Sequence, residues 1–212
     1  MKLSIAEGLY LIALDDEEGR LLSAAEKTIV PGILSAVILE LQILKKIEFN
    51  ASGEIQVKDE SGTGNIILDN ILHKLKSGAN VVDQVKELSP QFKDIQVDFD
   101  ELLTQRGILK REATKLLWIP LSERMGNANY AFEKEIRNIL RAMVFKNAKP
   151  TPSFVVLMSL IYDCSILDEV FRDKDELIDA EKVAKDIVDS IVITPEVSEV
   201  LKELRTYFGT IS

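Results

Sequence analysis

Two side chains in this 212-residue chain have the types needed for a nucleophile and its base: the single cysteine, Cys164, and the single histidine, His73. A thiol attacks only as the thiolate, which needs a nearby proton acceptor or positive charge. Nothing in the spacing brings the two together, and Cys164 directly follows an apolar helical run, where a buried structural thiol is common. Carboxylates are plentiful: Asp163 to Glu203 holds thirteen acidic residues against five basic ones. Their spacing fits the solvated faces of amphipathic helices. The sequence contains no HExxH, GxSxG, Walker or dinucleotide fingerprint. One cysteine permits neither an intrachain disulfide nor a cysteine metal cage. The chemistry-bearing residues therefore point away from an enzyme, a metal centre or a bound cofactor.

A glycine loop, Ser61-Gly62-Thr63-Gly64-Asn65, precedes the helical run Ile66 to Leu72. Orphan N–H groups at such a helix start can hold an anion. The loop lacks the Lys-Ser/Thr ending of a P-loop and follows no buried parallel strand, so an ordinary turn with Thr63 or Asn65 as N-cap accounts for it. A second hairpin is more informative: Ile108-Leu109-Lys110 runs outward, Arg111 to Thr114 forms the turn, and Lys115 to Leu121 returns. Period-two alternation sends Leu117, Ile119 and Leu121 to one face and Leu116, Trp118 and Pro120 to the other, leaving both faces apolar. Such a strand needs cover twice, from its own helices or from another subunit or a membrane. Arg106 to Arg124 carries five basic residues against two acidic ones in a chain of net charge −9. Near an anionic leaflet each basic residue is worth about 1 kcal/mol, so the excess of three gives roughly 3 kcal/mol, or about two decades of affinity. That is too weak for a lone anchor but useful when several copies bind together. The candidate contact residues are Lys110, Arg111, Lys115, Leu116, Leu117, Trp118 and Ile119.

The elements that must position this hairpin read as helices. Pro31 to Leu44, PGILSAVILELQIL, has only Ser35, Glu40 and Gln42 as polar residues after Gly32. A helix made from it is apolar around most of its circumference and belongs at the centre of the core. Ser4-Ile5-Ala6-Glu7 has the capping-box spacing, predicting a second core helix to about Leu14. Arg20 to Val30 reads as loop. Ile47 and Phe49, a turn at Asn50 to Gly53, then Ile55 and Val57 predict a first short hairpin. Helices follow at Val81 to Leu88 and Phe92 to Gln105, the latter ending on Arg106 and Gly107. From Ala128 onward the pattern is helical, with Thr194 and Pro195 opening the last helix. The fold class is mainly α: a helical bundle around buried central helices with two short β-hairpins, the second (about 108–121) protruding, in one domain over 1–212.

With 46% hydrophobic residues the chain can bury a substantial core, and its apolar runs stop short of the ~20 residues needed to span a bilayer. No secretory segment follows Met1, which predicts a cytoplasmic protein, peripheral to a membrane at most. Two helix-plus-hairpin units also invite comparison with a winged-helix nucleic-acid binder. The net charge and the apolarity of the would-be recognition helix, Ile33 to Leu44, oppose that alternative, so no nucleic acid is expected as a partner.

The run LSIAEGLYLIALDDEEGR, the helix ending ILELQILKKIEF, the turn and helix GTGNIILDNIL, and ELLTQRGILKRE before a hydrophobic hairpin resemble the Golgi phosphoprotein 3 family. They occur in the family's order and at similar spacings, and the resemblance extends from Leu3 to about Phe208. It implies a helical fold with a protruding hairpin that serves membrane insertion or self-association. It also implies, from eukaryotic members, binding of phosphatidylinositol 4-phosphate on Golgi membranes and an adaptor role toward cytoplasmic tails of glycosyltransferases. The expected partners are thus anionic membrane lipid or cytoplasmic tails of membrane proteins, and further copies of the chain. Carried over by position, the family's headgroup pocket is degraded: Leu22 to Leu34 contains no aromatic residue and no arginine, and the later Arg-x-x-Arg pair falls on Lys93 and Gln96. Without the basic N-terminal extension of eukaryotic members, the chain resembles a compact prokaryotic-type member.

Overall fold

Ser4 opens the first helix through both halves of a capping box. Its hydroxyl accepts from the Glu7 N–H at 3.1 Å, and the Glu7 carboxylate accepts from the Ser4 N–H at 2.9 Å. The computed structural model describes residues 3–15, 20–116, 119–127, 130–146 and 148–211, with 111–116 and 119–127 given as backbone. Helix α1 (Ile5–Ile12) is buried along its whole length, and a short bridge between Leu14 and Leu21 follows it. The Arg20 to Val30 stretch is mostly loop, with a 3₁₀ turn at Ser23–Ala25.

Helix α2 (Ile29–Ile43) starts two residues earlier than Pro31, which sits in its first turn. Every residue from Pro31 to Leu39 is buried, as an all-round apolar helix requires. Its neighbours include α1, α3 (Ile66–Leu72), α4 (Val81–Leu88) and α7 (Pro152–Asp163). The chain end of α7 comes close at Gly32, where an added Cβ would lie 2.6 Å from the sulfur of its C-cap, Cys164. A glycine is needed there because two helices touch, and the thiol is part of that contact.

The first hairpin pairs β1 (Ile47–Phe49) with β2 (Ile55–Val57), Phe49 opposite Ile55. Its turn is held by the Asn50 side chain, which accepts from the N–H groups of Ser52 and Glu54, both at 2.9 Å. The predicted helix from Phe92 begins later, as α5 (Ile95–Gln105), because Ser89–Phe92 forms a 3₁₀ turn around Pro90. At the end of α5 the Gly107 N–H donates to Thr104 and the Ile108 N–H donates to Leu103, both at 2.9 Å, with Gly107 at φ 68°. This is a Schellman ending.

The second hairpin is longer than its sequence suggested. Strand β3 (Leu109–Leu116) pairs with β4 (Ile119–Asn127) in a ladder from Leu109 opposite Asn127 to Leu116 opposite Ile119. The predicted turn at Arg111 to Thr114 is therefore wrong: those residues lie within β3. The register also steps between Thr114 and Lys115, passing over Leu121, so a strict alternation does not run through the returning strand. A bulge suits Pro120, which has no N–H to give to a ladder. The remaining helices are α6 (Tyr130–Phe145), α8 (Leu167–Val170), α9 (Lys174–Asp186) and α10 (Pro195–Ile211), so the chain is mainly helical.

Candidate functional site

The two residues first suspected of chemistry are far from a reactive pair. His73 caps the end of α3, is exposed, and its Nδ1 lies 2.6 Å from the Asp69 carbonyl. Cys164 is fully buried, its sulfur 3.7 Å from the Thr28 carbonyl, and burial pushes its thiol well above the ordinary range. The glycine loop spends most of its polar groups on capping α3. Asn65 caps α3 by accepting from Ile67 and Leu68, and the Thr63 N–H and hydroxyl both donate to Asp69 Oδ1 at 2.7 Å. The turn reading of that loop is the one the structure supports.

Lys93 is exposed just past the 3₁₀ turn, and Gln96 is half-buried in the first turn of α5. The Tyr10 hydroxyl lies 3.5 Å from the Gln96 carbonyl and donates to Asp100 Oδ1 at 2.6 Å. Burial, and then the Asp100 carboxylate, push this phenol far above its usual range. Within the second hairpin, Lys110 is exposed at the start of β3. Arg111 stands opposite Met125, Lys115 opposite Pro120 and Leu116 opposite Ile119. Leu117 and Trp118, the two residues joining that last pair in the chain, lie outside the described residues.

The feature that sequence reasoning missed is a cavity of about 1070 Å³ at the root of this hairpin. Its floor is Glu7, only 1% exposed. One carboxylate oxygen closes the Ser4 capping box; the other accepts from the Arg106 guanidinium and, at 3.4 Å, from the Asn65 side-chain amide. Nearby, Glu40 accepts the Ile5 N–H at 2.8 Å. Apolar walls come from Phe132, Ile136 and Ile139 of α6, Phe154 and Leu157 of α7, and Leu102 of α5. Arg106 is the C-cap of α5, one residue before Gly107 and three before β3, so a single side chain belongs to the cavity floor and to the foot of the hairpin. Glu7 was legible as the one charged residue between Leu3 and Leu14, but its role as cap hid its role as floor.

Such a site can hold an apolar ligand against a fixed ion pair. Its described lining carries no Cys, His or Lys, and among the described residues no group of His, Cys, Asp or Glu is arranged to hold a metal ion. Among the described residues, too, no helix is long and apolar enough to cross a membrane. Together these features define a class: mainly helical proteins wrapped around a buried central helix, with a long two-stranded ribbon leaving the end of an internal helix. A family model described as Golgi phosphoprotein 3 matches residues 5–204, and the chain belongs to that family. No curated protein matches it in sequence.

Proposed function

We propose that this chain is a non-enzymatic peripheral membrane or adaptor protein whose second hairpin meets an anionic bilayer or another copy of the chain. Membership of the Golgi phosphoprotein 3 family supports the adaptor role. The observation that carries the reading is the length and closure of the hairpin. Eight residues of β3 at about 3.3 Å each span roughly 26 Å. The ladder closes at Leu116 opposite Ile119, so the apolar run Leu116-Leu117-Trp118-Ile119 occupies the place in the chain where the strands join. Lys110, Arg111, Lys115 and Arg124 flank it and favour a negatively charged surface.

Tight selection of phosphatidylinositol 4-phosphate is not part of this proposal. A phosphate wants convergent and preferably bidentate cations. Of the two carried-over positions, Lys93 offers one exposed charge and Gln96 none. The partner class is anionic membrane lipid together with cytoplasmic tails of membrane proteins, met on the cytoplasmic face. Flotation with phosphatidylserine vesicles tests the membrane arm: wild type should float at low salt, release at moderate salt, and float less as Trp118→Ala. Equal failure of both proteins to float removes it. Sedimentation tests the assembly arm, since shortening the hairpin between Arg111 and Pro120 should lower the mass in solution, and an unchanged mass removes it.

A further inference from the structure

We infer, resting on the self-association arm of the proposed function, that the outward face of α5 is where a second copy of this chain seats its ribbon, so that two copies exchange hairpins reciprocally. Asp94, Val97, Asp98 and Glu101 are all exposed, and spacings of three and four put them on one stripe of the helix. Val97 is 58% exposed, and Ile66, the first residue of α3, is 66% exposed. Between the two helices lies a groove of about 160 Å³, lined by Ile66, Phe92, Leu102, Asp98 and Glu101 among others. It is a small apolar depression with acid on its rim.

The acid is uncompensated within the described residues. Asp94 makes no side-chain cap to its own helix, Glu101 accepts from the Gln105 amide at 3.3 Å, and none of the three carboxylates has an ion-pair partner there. Lys93 and Lys74 stand at the Phe92 end of the groove, Lys74 5.9 Å from the ring, which leaves the Asp98 and Glu101 end acidic. The matching charge is on the ribbon. Arg111 stands opposite Met125 and Lys115 opposite Pro120, so neither has an acidic residue as its ladder partner, whereas Arg124 stands opposite Glu112. A basic ribbon thus complements an acidic, partly apolar groove. Within one chain the two start apart: the ribbon leaves the C-terminal end of α5, while Asp94 and Asp98 belong to its N-cap and first turn. A second copy brings them together. Because every copy carries both surfaces, the contact is self-complementary and closes as a two-fold dimer, in which each weak exposed ion pair occurs twice.

Sedimentation equilibrium of the full chain tests this with two charge-reversed proteins. One carries Asp98→Lys with Glu101→Lys on α5, the other Arg111→Glu with Lys115→Glu on the ribbon. Each alone should dissociate at least tenfold more readily than wild type, because like charges then meet. An equimolar mixture of the two should recover wild-type affinity to within about threefold as a heterodimer, since each then presents the charge the other lacks. If the ribbon-reversed protein does not fold, Ile66→Lys takes its place and should weaken self-association at least fivefold. A mixture no tighter than its components overturns the inference. So does unchanged affinity in the α5 variant: if shortening the ribbon still lowers the mass, self-association stands on another surface, and if wild type is monomeric throughout, the assembly arm falls as well. Capture of a Lys- and Arg-rich peptide on α5 by a monomeric wild type would assign the face to a foreign tail and overturn it too.

Discussion

Glu7 and Arg106 join the first turn of α1 to the last turn of α5 across ninety-nine positions of sequence. With Glu7 1% exposed, removing only its guanidinium partner leaves a poorly hydrated carboxylate without its counter-charge. Arg106→Met should therefore lower unfolding free energy by about 3 kcal/mol in urea titration, and adding Glu7→Gln should restore more than half of that. A second buried carboxylate behaves differently. Burial raises the pKa of Asp163 to about 6, although the Arg205 guanidinium at 2.8 Å and the Ser159 hydroxyl pull it the other way. The folded state thus holds this proton more tightly than the unfolded chain does. Its contribution is present in full below the ordinary aspartate range and is lost as pH rises through about 6. Relative to Asp163→Asn, the wild type should lose on the order of 3 kcal/mol between pH 4 and pH 7. A pH-independent difference between the two proteins would refute this account of the site.

Helix endings carry the lesson at the next scale. Besides α5, two other helices stop in Schellman geometry, but with non-glycine residues in the left-handed region: Lys45 at φ 60° after α2 and Ser165 at φ 61° after α7. The hydrogen bonds are the same, from Lys45 to Gln42 and Lys46 to Leu41, and from Ser165 to Tyr162 and Ile166 to Ile161. A side chain there costs about 1 kcal/mol relative to glycine. Lys45→Gly, at an exposed position, should raise the thermal midpoint, while Gly107→Ala should lower it by a comparable amount. Local signals of this kind were readable in advance. Ser4 and Glu7 announced α1, Gly107 announced the end of α5, and the uninterrupted apolar run announced α2. The second hairpin was misread because Arg111 to Thr114 looked polar enough to turn, although it contains no Gly, Pro or Asn. In the ladder Glu112 stands opposite Arg124, so charges that suggested a loop belong to a paired ribbon. The cavity escaped notice for another reason. Its walls come from α1, α3, α5, α6 and α7, and no periodicity within one helix records which other helices it will meet.

At the scale of the molecule, stability is unevenly spread. Isoleucines and leucines of α2 from Ile33 to Leu39 are entirely enclosed, whereas β3 finds its main neighbours in β4 and α5. Two strands alone are marginal in water. Hydrogen exchange should accordingly find the α2 amides among the slowest, opening only with global unfolding, and those of β3 and β4 faster by at least tenfold. Comparable protection in both would contradict this distribution of packing. Finally, Arg205 of α10 ties three parts of the helical body together. Besides Asp163 and Ser159 on α7, it donates to the carbonyls of Ala184 at 2.8 Å and Lys185 at 2.9 Å, near the end of α9. The family match stops at 204, one position short of it. An expression fragment trimmed to that boundary would keep the shared pattern yet discard the rivet, and should be recovered in poorer yield than one extended through Phe208.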